Sequence, residues 1–337
     1  MADVQSESIF AVAPSGSSSP DSITHGTDGS IWVEYGNGAS STGQGGTSTI
    51  VQYDRLGDVL NIYDLSGLVD GLKVDPATGD VWALHNQDAN STLSLIDPAT
   101  NQMSALLTYD GSYQYGAASS RGYDDVAFDE RKVFLSYTNP ANPGDAVVQQ
   151  LLNGNSPFGT LQTRDILRLG DTGTNLLTGE TNQPLPVTDP DSLKTLPDGS
   201  LILTGEGDKA FTLIHDPGTT WQSASFITLP SGTASPDDAI MPTASSGTFY
   251  VSAGTDNDVV KASVTGLNTN DLYASIGSNV DEIDLTTGAV TPLITGVNGA
   301  HGLLFVPLGG GAAYGGPGAT DPAHAALAGL SSPTGQG

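Results

Sequence analysis

Polar and apolar residues alternate over short stretches along most of the chain, and turn residues punctuate the alternation. Residues 48–53, 92–96 and 280–285 each alternate and then run into Asp54-Arg55-Leu56-Gly57-Asp58, Asp97-Pro98-Ala99-Thr100-Asn101 or Thr286-Thr287-Gly288. Period-two alternation closed by Gly, Pro, Asn and Asp predicts half-buried strands joined by tight turns. A second pattern overlies the first: an acidic residue, a short strand, an Asp-Gly or Asp-Pro turn, then a strand rich in Val, Ile, Trp, Phe and Tyr. That order is the signature of an antiparallel hairpin.

The hairpin recurs. Asp21-Ser22-Ile23 with Asp28-Gly29-Ser30-Ile31-Trp32 aligns without a gap to Asp191-Ser192-Leu193 with Asp198-Gly199-Ser200-Leu201-Ile202. Further copies begin at Asp70, with Asp75-Pro76-Ala77-Thr78-Gly79-Asp80-Val81-Trp82, and at Asp124-Asp125, with Lys132-Val133-Phe134-Leu135. A fifth is Asp238-Ala239-Ile240 with 247–251, and a degenerate sixth runs over 301–306, where His301 stands in place of Asp. The copies lie roughly 47 to 67 residues apart, the period of propeller blades. The reading is therefore an all-β, six-bladed β-propeller of four-stranded antiparallel blades over residues 1–307, with seven blades as the alternative if 258–275 hides another. The last inner strand lacks partners after it and 8–12 is a spare strand, so the N-terminal strand is expected to close the ring and remove exposed sheet edges. Residues 308–337 are mostly Gly, Ala, Pro, Ser and Thr and read as a flexible tail. The insertion at 151–190 reads as an irregular outer blade strand or as a lid.

Composition narrows what such a fold does. With 10 Lys+Arg against 37 Asp+Glu, the 337-residue chain carries a formal charge of -27. A field of that sign repels nucleic acid and favours divalent cations or basic ligands. The absence of cysteine removes disulfides, thiolate zinc sites, iron–sulfur clusters and Cys nucleophiles. No apolar run reaches the roughly 18 residues of a membrane span, and residues 1–14 have no basic n-region. The expected place of work is nonetheless outside the cytoplasm, secreted or periplasmic. No Gly-x-Ser-x-Gly elbow, His-Glu-x-x-His or phosphate-binding loop is present.

The Pro20-Asp21-Ser22-Ile23 copy with Asp28-Gly29-Ser30-Ile31-Trp32-Val33, and the Asp75-to-Trp82 copy, resemble the repeat of NHL-type propellers, including the streptogramin lyase-like and senescence-marker/gluconolactonase-like families. The resemblance implies the propeller fold over roughly 8–307. It also implies two kinds of activity: lactonases that hold a metal with Glu, Asn and Asp, and lyases that use a His base with Mg²⁺. This chain has Asp21, not Glu, at the first inner strand.

Strand direction places the chemistry. If each inner strand starts after its acidic residue and runs to the hairpin turn, the starts of the first strands and the exits of the second share one face. Near the channel there lie Asp21, Asp70, Asp124, Asp125, Asp191, Asp237, Asp238 and His301, with Glu34, His85, Asn86, Asn139 and Glu206 at the exits. Convergent carboxylate and amide oxygens suit Ca²⁺ or another divalent cation, and the candidate ligands are Asp21, Asp70, Asp124, Asp191, Asp238, Glu34, Asn86 and Glu206. The competing role for each Asp is to cap its own loop by accepting backbone N–H bonds. His301, among carboxylates, is the candidate general acid or base. Trp32, Trp82, Phe134 and Tyr250 read as inter-blade core. The function expected is a binding or scaffold module with a divalent cation on the channel axis and an unknown ligand, protein or carbohydrate on that face; the alternative is a metal-dependent lactonase-like hydrolase or streptogramin lyase-like enzyme with His301 as base.

Overall fold

The computed structural model describes residues 2–109, 122–130, 132–154 and 159–309, and every regular element among them is a strand. Six sheets surround a channel. After β1 (Asp3–Val12), blade one is the meander β2 (Pro20–His25), β3 (Ile31–Tyr35), β4 (Thr47–Tyr53) and β5 (Val59–Ser66). Blade two comprises β6 (Val69–Val74), β7 (Val81–His85), β8 (Thr92–Asp97), the short β9 (Gln102–Met103) and β10 (Leu107–Tyr109). Blade three is built from β11 (Tyr123–Asp129), β12 (Lys132–Tyr137) and β13 (Ala146–Leu151); β14 (Thr160–Leu161) returns to the rim of blade two, parallel to β10, and β15 (Thr163–Arg168) completes blade three. β16 (Thr172–Asn175) and β17 (Gln183–Pro184) extend the outside of blade four, whose core is β18 (Pro190–Thr195), β19 (Leu201–Gly205), β20 (Ala210–His215) and β21 (Ser223–Thr228). The 151–190 insertion is thus blade edge rather than a lid; its residues 155–158, like the tail from 310 onward, lie outside the described residues.

Blades five and six are interleaved. The inner strand β22 (Pro236–Ile240) pairs with β25 (Leu272–Ile276), which continues into β26 (Asn279–Ile283) and β27 (Val290–Thr295). The intervening β23 (Ser246–Ala253) and β24 (Asp258–Thr265) belong to blade six, in the order β28 (Ala300–Pro307), β23, β24, β1. The fifth hairpin expected from the sequence is therefore not formed. Hairpins of the other inner strands turn through a residue of positive φ: Gly29 at +90°, Gly79 at +84°, Gly199 at +83° and, between β11 and β12, Glu130 at +53°. The β22–β23 link, Met241-Pro242-Thr243-Ala244-Ser245, contains a proline and no residue of positive φ, so it lacks the left-handed residue at which those hairpins turn. The ring still closes through the N-terminus, since β1 pairs with β24 along Asp3↔Thr265 to Val12↔Asp258.

The inner strands touch in the cyclic order β2, β6, β11, β18, β22, β28 and back to β2. Six hydrophobic clusters fill the spaces between neighbouring blades. Trp32, Trp82 and Phe134 are buried there, Trp32 stacking on Tyr63 at 5.8 Å. Tyr250 holds the matching position in blade six, opposite Leu304, and meets the Phe10 ring edge-on at 5.0 Å. Burying rings of this size contributes a few kcal/mol each, about 25 cal/mol per Å² removed from water. This rigid wall fixes where the channel residues point. Among the described residues no helix is long and apolar enough to cross a membrane.

Candidate functional site

Every inner strand carries the same irregularity. In blade one Pro20 pairs with Tyr35 and Ile23 with Val33, three steps on one strand against two on the other. The slip recurs at Val69/Leu72, Tyr123/Val126, Pro190/Leu193 and Pro236/Ala239, and in blade six where Ala300 and Leu303 face Ala253 and Val251. A β-bulge breaks the in–out alternation, so two consecutive residues per strand reach the channel side. The first set forms a rim of Asp21, Asp70, Asp124, Asp191, Asp237 and His301 around a cavity of about 280 Å³. The second set, which includes Ser22, Asp125, Ser192, Asp238 and Gly302, lies deeper around a cavity of about 30 Å³. Gly302 is required there, because a Cβ would stand 2.4 Å from the Asp21 carbonyl oxygen.

The deep layer is internally satisfied. Lys73 donates to both oxygens of Asp125, at 2.9 and 2.7 Å, and Lys194 to Asp238 at 2.5 Å and to the Leu303 carbonyl. Asp125 accepts from the amides of Val126 and of Leu193 in the next blade; Asp238 accepts from Ala239 and from Leu303 in the next blade. Burial raises the Asp238 carboxyl, but Lys194 and Lys73 outweigh it and hold it below its ordinary value. The capping role expected of inner-strand Asp is the one that Asp125 and Asp238 fill. They tie blade two to three, three to four, four to five and five to six, and with the lysines they floor the channel.

The rim is different. His301 Nδ1 donates to Asp237 Oδ1 at 2.7 Å and stands 3.9 Å from Asp21 Oδ1. The Asp237 hydrogen bond, partly opposed by burial and aided by the Asp237, Asp21 and Glu206 charges, raises the imidazole to about 9. Burial, with the Asp237 charge added, raises Asp21 to about 7 against the lowering effect of His301. Asp70, Asp124 and Asp191 are pushed well above their ordinary value by burial first and then by neighbouring carboxylates. Apart from His301, no cation of this chain reaches hydrogen-bond distance of a rim carboxylate among the described residues, and Asp124 Oδ2 is buried without a partner. Like charges crowded round one mouth, from the buried Asp124 to the partly exposed Asp21 and Asp237, call for protons or a bound cation. Asp21, Asp237 and His301 bring ligand atoms within 4.8 Å of one another, a spacing that can hold a metal ion.

The residues singled out from sequence fall in three places. Asp21, Asp70, Asp124, Asp191 and His301 share the rim, with Glu206 exposed at its edge. Asp238 lies in the floor, and its neighbour Asp237 takes the rim position. Glu34 and Asn86 line neither cavity. Glu34 is fully buried on β3, where burial, then Asp21, raises its pKa well above the ordinary range against a lowering effect of the Ser48 hydroxyl, and neither of its carboxylate oxygens has a hydrogen-bond partner. Asn86, with φ at 60°, sits where Gly43 and Gly67 leave room for its side chain. His85 is packed inside blade two between the Ser66 carbonyl and the Ser94 hydroxyl rather than facing the loops or solvent. Sequence reasoning missed Lys73 and Lys194. Their signal was a lysine three residues after the inner-strand Asp in two copies, Asp70 and Asp191, in a chain with only 10 basic residues.

Solved structures share this architecture. Virginiamycin B lyase from Staphylococcus aureus superposes with a TM-score of 0.53 at 12% identity, covering 91% of this chain and 96% of that one. A putative gluconolactonase superposes with a TM-score of 0.51 at 13% identity, covering 91% and 86%. A protein of unknown function from Bacteroides caccae gives 0.49 at 10% identity over 85% and 86%. The likeness bears out the six-bladed propeller, and at these identities it speaks for the fold alone. No family model and no curated protein sequence matches the chain.

Proposed function

We propose that this propeller is a binding module whose channel mouth holds a divalent cation, with Asp21, Asp237 and His301 as its first ligands and the other rim carboxylates in support. One observation carries the reading: ligand atoms of these three residues lie within 4.8 Å of one another, in a rim where six blades crowd carboxylates together with His301 as their one hydrogen-bonded cation among the described residues. Two carboxylates and an imidazole suit Mn²⁺ or Zn²⁺, and the surrounding oxygens suit Ca²⁺. A bound ion supplies positive charge at the floor of the 280 Å³ mouth, where a ligand's anionic or carbonyl oxygen can dock. Calorimetric titration of chelator-treated protein with Ca²⁺, Mg²⁺, Mn²⁺ and Zn²⁺ tests it. Saturable binding of at least one ion, lost in Asp21→Asn and Asp237→Asn, supports the site; no binding of any of the four removes it.

A hydrolase or lyase of the lactonase or streptogramin-lyase kind is the second reading, favoured by the Asp237–His301 hydrogen bond beside the mouth. With its pKa raised to about 9, metal-free His301 is protonated near neutral pH. It then serves as a proton donor rather than as the base expected from sequence. A lactone panel run on the wild type and on His301→Ala separates the readings, since unchanged turnover would take His301 out of any chemistry.

A further inference from the structure

The floor shows how this fold satisfies a channel carboxylate, and the rim one layer above repeats the carboxylates without the remedy. Lys73 and Lys194 each bring an ammonium group to a second-layer aspartate, and no other cation serves Asp125 or Asp238 among the described residues. Asp70, Asp124 and Asp191, from the three consecutive blades that face away from His301, line both the mouth and the small cavity beneath it. Asp124 is 6% exposed; the Thr138 hydroxyl interacts with its carboxylate, and Oδ2 has no hydrogen-bond partner. Asp191 accepts no hydrogen bond from a side chain or amide of the described residues, and Asp70 accepts a single one, from Gln87 at 3.3 Å. A carboxylate oxygen left without a donor, on a nine-tenths buried residue that lines both cavities, points to a donor that enters from outside.

We propose that the Asp70–Asp124–Asp191 half of the rim binds the terminal ammonium group of an alkylamine, as carried by a linear diamine or by a lysine side chain, in the way that Lys73 and Lys194 fill the floor. An ammonium group offers three N–H donors, which the carboxylates of this half of the rim can share with water. Its compact charge on a slim methylene stem fits a mouth of about 280 Å³. Asp88 and Asp189, farther out in the same mouth, supply countercharge for a second amine. Charge-assisted hydrogen bonds to desolvated carboxylates are the strong kind. The proposal goes beyond the metal reading and does not depend on it: the two share the charge of one mouth, but the groups that would touch the amine are not the Asp21, Asp237 and His301 ligand atoms.

Isothermal titration of the full chelator-treated chain with cadaverine, with Nα-acetyl-lysine amide and with pentanediol tests it. Cadaverine is expected to bind with a Kd of about 1 mM or tighter at physiological salt, and the neutral diol not to bind. The ratio between the two amines tells a small diamine from a peptide lysine as the natural source. Asp124→Asn and Asp191→Asn should each weaken the amine by about tenfold or more. Asp58→Asn, at an exposed turn outside the mouth, should leave it within about threefold. Both asparagine variants relieve repulsion, so they are expected to fold, and their melting curves check that. Absence of cadaverine binding, equal binding of the diol, or affinity unchanged in both asparagine variants overturns the proposal. Divalent-ion titrations of the same samples report separately on the metal site.

Discussion

The floor and the rim of the channel are built from adjacent residues of the same strands, yet they behave as opposites. Asp125 and Asp238 each hold a lysine and a neighbouring blade's amide. Asp70, Asp124 and Asp191, one residue earlier in the repeat, have no lysine and no neighbouring blade's amide, only Gln87 at Asp70 and the Thr138 hydroxyl at Asp124. The residue type is the same, so the difference lies in what surrounds it. A satisfied buried carboxylate is architecture; an unsatisfied one is a site awaiting a cation or a proton. The acid excess of the chain is therefore two things within the channel: a set of inter-blade ties and a concentrated, uncompensated ring.

Breaking the floor should have the largest effect. Lys194→Ala leaves Asp238 buried without its cation, and a buried pair broken on one side costs about 3–5 kcal/mol. The melting point should drop by roughly ten degrees, read by circular dichroism; a drop of only a degree or two would mean that the floor is not a tie. The rim should answer with the opposite sign. Asp124→Asn keeps the shape and removes one of the crowded charges, so metal-free protein should gain about 0.5–2 kcal/mol near neutral pH, seen in urea unfolding. A loss of stability there would show that Asp124 is already satisfied. The smallest effect is local. Asp237→Asn should move the His301 pKa from about 9 down by about one unit or more toward its ordinary value near 6.5, followed by NMR titration of the ring protons. An unmoved pKa would sever the two residues.

Much of this molecule was legible in the chain. Six inner-strand starts, their Asp-Gly and Asp-Pro turns, and the aromatic residue of the second strand gave the blades, because hairpins are local and their turn chemistry is written in consecutive residues. What failed was non-local. Asp237-Asp238 and residues 247–251 carry the hairpin pattern, but the link between them holds Pro242 and no left-handed residue, β22 went to β25, and the choice was made by packing between blades. The split between Asp237 in the rim and Asp238 in the floor was hidden for a different reason. It depends on a bulge, and a bulge shows in sequence only as two adjacent polar residues where alternation expects one. Glu34 stood correctly at a second-strand exit, yet the wall between blades one and two encloses it. The lysines of the floor carried a readable signal, their recurrence at one position of the repeat, which attention to the acids passed over.

The measurement that bears most directly on the uncompensated rim is the melting temperature from acid to alkaline pH, with chelator and with a divalent cation. Asp21 rises from 3.8 to about 7 on folding and His301 from 6.5 to about 9. A raised folded pKa contributes stability below the unfolded value that is lost as pH climbs through the folded one. The metal-free protein should therefore weaken steadily between about pH 4 and pH 9, while the floor, whose Asp238 is held below its ordinary value, loses its contribution only on acidification below about pH 4. At pH 8 a cation at about 100 times its Kd should restore about 2.7 kcal/mol, a rise of several degrees. Melting curves that are flat from pH 5 to pH 8 and identical with chelator and with Ca²⁺, Mn²⁺ or Zn²⁺ would contradict the account.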